Sequence, residues 1–265
     1  GLFIWRERFA AEPIMPLRLF KNDIFVTSVL LSMFAGVAMF ASILFIPQYQ
    51  QVVRGNSPTE SGLLMFPLVF GIVAGSITSG RLISKTGKYR IFPIVGSLML
   101  ALGLWMFSHI GLTTSNLIIS FWMVVVGGGL GLFMQVSTLA VQNSAKRSDL
   151  GSATSAVTFF RSIGGSLGGA IFGSVLVARL SYYLTDSVPG GHAISSEAIT
   201  SGIANLPDEI KDSVLMAFVS SFQDMFLYAI PFALAAFVVA LFLRETPLKT
   251  STKDMVEAES FEHHH

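Results

Sequence analysis

Six separate stretches of this chain are each long and apolar enough to cross a bilayer, which takes about 20 mostly apolar residues. They run over Asp23–Ile46, Ser61–Ile83, Ile91–Ile110, Ser115–Val141, Ser152–Leu180 and Ser221–Leu243. None alternates apolar and polar residues with a period of two, as a transmembrane barrel strand would. The fold class is therefore an all-α membrane protein with six transmembrane helices. Charge agrees: only 12% of the 265 residues are Asp, Glu, Lys or Arg, about half the share in a soluble domain. That balance excludes a disordered chain, a nucleic-acid binder and an ordinary soluble enzyme. There is no cysteine, hence no disulfide framework, thiolate metal site or cysteine nucleophile.

Both ends read as parts of something longer. Gly1 is not an initiator Met, and Gly1–Trp5 followed by Arg6-Glu7-Arg8 looks like the exit of an earlier hydrophobic helix. Residues 1–22 are expected to be that exit plus a cytoplasmic linker, 23–243 the six-helix bundle, and 244–265 a cytoplasmic tail. Glu262-His263-His264-His265 resembles a purification-tag remnant, so those histidines enter no metal argument.

Lys and Arg distribute unevenly between the two sides. Arg6, Arg8, Arg18, Lys21, Arg81, Lys85, Lys88, Arg90, Lys146, Arg147, Arg244, Lys249 and Lys253 fall on one side, against Arg54, Arg179 and Lys211 on the other. The positive-inside rule then makes both ends of the piece cytoplasmic. Ser181–Ser220 is a long extracytoplasmic segment, with a turn signal at Val188-Pro189-Gly190-Gly191. Within it, Pro207-Asp208-Glu209 reads as a helix start. Val214, Leu215 and Phe218 would give that helix an apolar face, so an interfacial helix leading into span six is expected. Six spans divide into three plus three. Because three is odd, the second triplet is inverted relative to the first.

The turn after span two reads Gly80-Arg81-Leu82-Ile83-Ser84-Lys85-Thr86-Gly87-Lys88-Tyr89-Arg90. Gly80 would let two helices approach and Gly87 would supply the tight turn. The turn resembles the Gly-x-Leu-x-Asp-Arg-x-Gly-Arg-Arg loop of the major facilitator superfamily, departing from it at Ser84, where the family has Asp. By that resemblance Gly80, Ser84, Lys85, Gly87, Lys88 and Arg90 form a conformational motif. In the family the loop takes part in a charge network that holds the cytoplasmic side closed. Four further stretches narrow the likeness: Pro16–Asn22, Ile46–Gln50, Phe159–Gly168 and Arg244–Lys249. They resemble the drug:proton antiporter-2 family of fourteen-helix multidrug exporters. The resemblance implies the six-helix C-terminal bundle of such a transporter, in a bacterial inner membrane. Its partners would be the N-terminal half, small hydrophobic or cationic substrates, protons and lipids. It implies no cofactor.

Span five carries the most information. Thr154, Thr158, Arg161, Gly165, Gly168 and Phe172 are spaced to share one helix face. Gly165, Gly169 and Gly173 mark an adjoining close-packing face. Arg161 lies roughly 14 Å into the span at 1.5 Å per residue. A charge at that depth costs about 2.5–3.5 kcal/mol or more unless it is paired or hydrated. Two readings are open: Arg161 faces a cavity between two bundles and pairs with a carboxylate of the other half, or it snorkels to inner-leaflet phosphates or caps backbone carbonyls.

Span four aligns Gly127, Gly131, Gln135, Thr138 and Gln142. A water-accessible cavity wall is preferred to a helix seam, because two amides cannot face lipid without partners. Span one offers Ser32, Met39 and Phe40, with Gln48 at its outer mouth; Met and Phe suit bulky apolar cargo. The substrate cavity is thus expected to use Ser32, Met39, Phe40, Gln48, Gln135, Thr138, Gln142 and Arg161. No Asp, Glu or His stands mid-span, so coupling carboxylates are expected in an N-terminal half. The resulting expectation is proton-coupled efflux by alternating access and no enzyme activity. A dedicated lipid or metabolite exporter and a non-transporting membrane scaffold are the alternatives.

Overall fold

The computed structural model describes residues 17–187 and 208–247. The predicted helix exit at Gly1–Trp5, the turn at residues 188–191 and the tag remnant lie outside them. Seven α-helices follow one another among the described residues: α1 (Asp23–Val52), the short α2 (Pro58–Leu63), α3 (Phe66–Thr86), α4 (Ile91–Phe107), α5 (Asn116–Ser144), α6 (Leu150–Ser187) and α7 (Asp208–Leu241). Five spans are long and apolar enough to cross a membrane: α1, α2 with α3, α5, α6 and α7. The sixth, α4, has 17 residues, about 25 Å at 1.5 Å per residue, the short end of the spanning range.

Helix boundaries follow local chemistry. Asn22 caps α1, its Oδ1 accepting from the amides of Ile24 (2.9 Å) and Phe25 (3.4 Å). α1 continues through Pro47 to Val52, beyond the predicted end at Ile46. A proline removes one intrahelical donor, a loss that a membrane helix packed among others tolerates. The predicted single span from Ser61 is two pieces. Ser57 and Glu60 form a capping box that starts α2. Leu64 and Met65 then turn before α3, which carries Pro67 near its start. Gly87, at φ +70°, closes α3 in the left-handed conformation, as its place in the turn predicts.

The largest departure from expectation is at α6 and α7. The described residues of the predicted long outer segment are helix: α6 runs to Ser187 and α7 begins at Asp208. No break separates an interfacial helix from span six; α7 is one 34-residue helix. The apolar residues read as a lipid-facing stripe, Val214 and Phe218, are buried in the core with Leu180 and Leu184 of α6. Packing against a neighbouring helix satisfied that stripe, where the sequence offered only a membrane surface.

The strongest helix pairings are α3 with α5 and α1 with α6; α4 also packs on α5, and α7 on α1. Exchanging the first three spans (α1, α3, α4) for the last three (α5, α6, α7) turns the α1–α6 pair into α5–α3 and the α4–α5 pair into α7–α1. These two pairings follow the three-plus-three repeat, whereas the α6–α7 pairing has no comparable counterpart between α3 and α4. Both main seams use glycine. A side-chain carbon at Gly36 of α1 would collide with the Arg161 carbonyl of α6, and one at Gly164 with the Met33 carbonyl of α1. Gly127 and Gly131 of α5 press equally on the Leu68 and Ile72 carbonyls of α3. Such contacts bring backbones close enough for dispersion to hold helices together where no hydrophobic drive exists.

Candidate functional site

The helix ends sort into two groups. At one end, rich in Lys and Arg, the start of α1 meets the end of α7 through Asp23 and Arg244 (2.8 Å). Arg18 of the preceding 3-10 turn reaches Asp149 between α5 and α6 (2.6 Å). At the far end Tyr49 of α1 donates to the Gly111 carbonyl (2.8 Å), and Gln223 of α7 to the Ile110 carbonyl (2.6 Å).

Between these ends the bundle presents a polar open face. On α5, Gln135 and Gln142 are exposed and Thr138 is half-buried. On α6, Thr158 and Ser162 are exposed, and Thr154 and Arg161 half-buried. Gln142 Nε2 donates to Thr154 Oγ1 across the two helices (3.3 Å), so the two stripes are one surface. The hydroxyls of Thr138, Thr158 and Ser162 each bond the carbonyl four residues earlier. The remaining exposed faces are apolar, as in Val69, Phe70 and Val73 of α3, Val95, Leu98 and Leu102 of α4, and Leu234 and Val238 of α7. Those surfaces match acyl chains; amides and a guanidinium do not.

The α5 stripe divides, which corrects the expectation of a continuous cavity wall. Gly127 and Gly131 belong to the seam with α3, and the Gly131 carbonyl accepts from Ser76 Oγ (3.2 Å). Only Gln135, Thr138 and Gln142 continue onto open surface. On α6 the shared face likewise passes from open to buried. Gly165 lies against the Phe40 ring and Gly168 against the Val37 backbone, and Phe172 is fully buried.

Arg161 makes no hydrogen bond or ion pair with any described residue, and its Nε is buried. Three acids of the described residues pair with other arginines: Asp23 with Arg244, Asp149 with Arg18, Asp224 with Arg179. On α1, Ser32 is buried with its Oγ unpartnered, and so is Ser28 one turn earlier. Phe40 covers Gly165. Met39 is half-buried and packs on the hydrophobic core, and Gln48 is half-buried near the far end.

The loop motif at the basic end is exposed at Ser84, Lys85, Lys88 and Arg90. Ser84 Oγ bonds the Gly80 carbonyl of its own helix (2.9 Å). Gly80 does not mediate a helix contact among the described residues: nothing lies within 4 Å of where its side chain would begin. The close approaches on α3 fall instead at Gly71 and Gly75, because at 3.6 residues per turn Gly80 lies on a different side of the helix. Arg90 Nη2 donates to the Leu241 carbonyl of α7 (2.6 Å).

Two clusters escaped sequence reading. The chain leaving α7 straps back across the bundle. Tyr89 N–H donates to Glu245 Oε1 (2.8 Å), Tyr89 Oη lies 3.1 Å from the Arg244 carbonyl, and Thr246 N–H donates to Tyr89 Oη (3.0 Å). Asn143 Nδ2 of α5 reaches Thr246 Oγ1 (3.0 Å). At the far end, Arg179 Nε meets Asp224 Oδ2 (3.1 Å), Arg179 Nη2 donates to Tyr228 Oη (2.7 Å), and Tyr183 Oη donates to Asp224 (2.8 Å). Both clusters join residues at least 41 positions apart, for which local patterns hold no signal.

Both the sequence and the fold are similar to those of known proteins. Residues 4–169 match the Major Facilitator Superfamily as a sequence family. The chain belongs to the major facilitator superfamily. An uncharacterized MFS-type transporter of Mycobacterium tuberculosis is 39% identical over 94% of the chain, which covers 36% of that protein. Multidrug transporter protein MdtP of Bacillus subtilis is 36% identical over 97% of the chain and 46% of its own length. A tetracycline resistance determinant of Streptomyces rimosus is 31% identical, over 94% of the chain and 80% of that protein. This superfamily chain thus spans between about a third and a half of the first two relatives' length. Its fold is similar to a crystal structure of a bacterial homolog of the human lysosomal transporter Spinster, with a TM-score of 0.67 at 16% identity, over 88% of this chain and 50% of that one. Superfamily membership makes the chain part of a multi-pass membrane transporter family and not an enzyme, as its sequence predicts.

Proposed function

We propose that this chain is the C-terminal half of a proton-coupled multidrug exporter of the drug:proton antiporter-2 type, working by alternating access in a bacterial inner membrane with its basic end cytoplasmic. The observation that carries the reading is the open polar face that runs from Gln142 near the basic end of α5 to Gln135, Thr158 and Arg161, between apolar flanks. Polar groups within a span are tolerated where they line water or meet another bundle. The cargo is a small hydrophobic or cationic compound lying against this face. The N-terminal half completes the cavity and holds the carboxylates that exchange protons for cargo. Multidrug and tetracycline-resistance relatives support this cargo class. Arg161 contributes to the cavity together with Ser32, Phe40, Gln135, Thr138 and Gln142; Met39 acts from behind, through the core. Gly80 to Arg90 form the conformational loop, held to α7 by Arg90.

A dedicated lipid exporter is the second reading, favoured by an apolar groove of about 680 Å³ between α3 and α5, lined by Phe66, Phe70, Val73 and Phe121. A pure scaffold would bury Gln135 and Gln142 against neighbouring helices, and their exposure counts against it. The deciding experiment is dye efflux from vesicles holding the full-length protein under an imposed proton gradient. Gradient-dependent export that collapses with an uncoupler supports the reading; export indifferent to the gradient, or none, overturns it.

A further inference from the structure

Among the described residues, three of the five buried side-chain polar atoms left without a partner fall on the paired helices α1 and α6: Ser28 Oγ, Ser32 Oγ and Arg161 Nε. The helices run parallel, with Gly36 of α1 against the Arg161 carbonyl and Val37 against Gly168. Ser32 is one turn before Gly36, and helical side chains lean toward the helix N-terminus. By that tendency the Arg161 side chain is directed toward the turn that the glycine contacts set at the height of Ser32.

All three orphan groups offer hydrogens: the Arg161 Nε–H can only donate, and each serine hydroxyl has one hydrogen to give. Around them the open surface adds the amides of Gln135 and Gln142. Among the described residues no acid pairs with them. α5 contains none, α1 only Asp23 at its start, and Asp23, Asp149 and Asp224 are each paired with another arginine. Leaving a guanidinium so poorly compensated is costly, and an acceptor that arrives and leaves with each cycle relieves that cost without locking the bundle to its other half.

We infer that the open face of α6 at Arg161 binds an oxyanion or enolate–carbonyl oxygen of the cargo, so that the acceptor end of an amphipathic compound lies on this half and any cationic end on the other. The inference rests on the exporter reading above. A compound whose sole polar group is a cation gains nothing from Arg161 and is repelled by it. An oxyanion gains a charge-assisted bond, with Gln142 close by on the same surface. Arg161 is a specificity residue, and its guanidinium is charged at every pH of interest.

The test uses the full-length transporter and two xanthene dyes of similar shape and opposite charge, fluorescein and rhodamine 6G, read by equilibrium binding in detergent and by efflux from vesicles. Arg161→Gln is expected to weaken fluorescein binding about ten-fold or more, the loss of one charge-assisted contact, while rhodamine 6G binds as before or tighter. Arg161→Lys keeps the charge and recovers most of the fluorescein affinity. Melting temperatures of both variants establish that they fold. If both dyes weaken together in a folded Arg161→Gln protein, Arg161 serves a carboxylate of the other half or the structure, and the inference fails. It also fails if wild-type protein exports rhodamine 6G but does not bind fluorescein, an outcome that leaves the exporter reading intact. Gradient-driven export of neither dye by wild-type protein sinks the exporter reading, while fluorescein binding that still depends on Arg161 preserves the site.

Discussion

Gly36 of α1 lies directly on the backbone carbonyl of Arg161 in α6, so the residue that places a charge in the open face is fixed in height by a glycine on another helix. With Gly164 against Met33 and Gly168 against Val37, the contact sets the register of the two helices. Any shift of one seam would move the guanidinium relative to Ser32.

Substituting Gly36 by Val should therefore unseat α6. Overpacking a tight site costs about 1–3 kcal/mol and more where backbone must move. The purified full-length protein should melt at a clearly lower temperature, or fail to accumulate. Gly151→Ala is the control, since nothing lies within 4 Å of its added carbon. In an exposed helix position that change should be neutral or stabilise by up to about 1 kcal/mol. Equal melting temperatures for the two variants would contradict the seam.

The strap after α7 depends on one phenol. Tyr89→Phe leaves the ring but removes the hydroxyl that Thr246 N–H donates to. A loss of about 1–2 kcal/mol is expected for buried bonds of this kind, with faster proteolysis near Thr246. Unchanged cleavage of the variant under limited trypsin digestion would show that the strap is not held there.

Arg179 and Asp224 tie α6 to α7 at the far end. Their site is open to solvent, so each single change, Arg179→Gln or Asp224→Asn, should lower the melting temperature only slightly. The two effects should be non-additive, because the double variant loses the same pair and the same Tyr183 and Tyr228 bonds. Additive losses in the cycle would mean that the residues act separately.

Replacing Gln135 and Gln142 together by Leu removes the amides of the α5 edge while leaving the seam at Gly127 and Gly131 untouched. The protein should fold normally and lose export several-fold, since each lost hydrogen bond is worth about 0.5–1.5 kcal/mol. Full export by the double variant would remove this edge from the cargo path.

The number of spans, their order and their alternating direction were legible in the sequence because each needs only a run of apolar residues, a property of neighbours in the chain. Gly87 was legible too, since a left-handed helix end favours glycine wherever it occurs. Tertiary structure alone decided which glycines serve a seam. Gly127 and Gly131 lie on the same helical stripe as the exposed Gln135 and Gln142, and only the position of α3 separates buried from open. It also decided that Val214 and Phe218 face α6 and not a membrane surface, because an apolar stripe records that it must be covered and not by what. For Arg161 the chain fixed a charge deep in a span; the fold determined that no acid among the described residues pairs with it, since a counter-ion is chosen by distance in space and not in sequence.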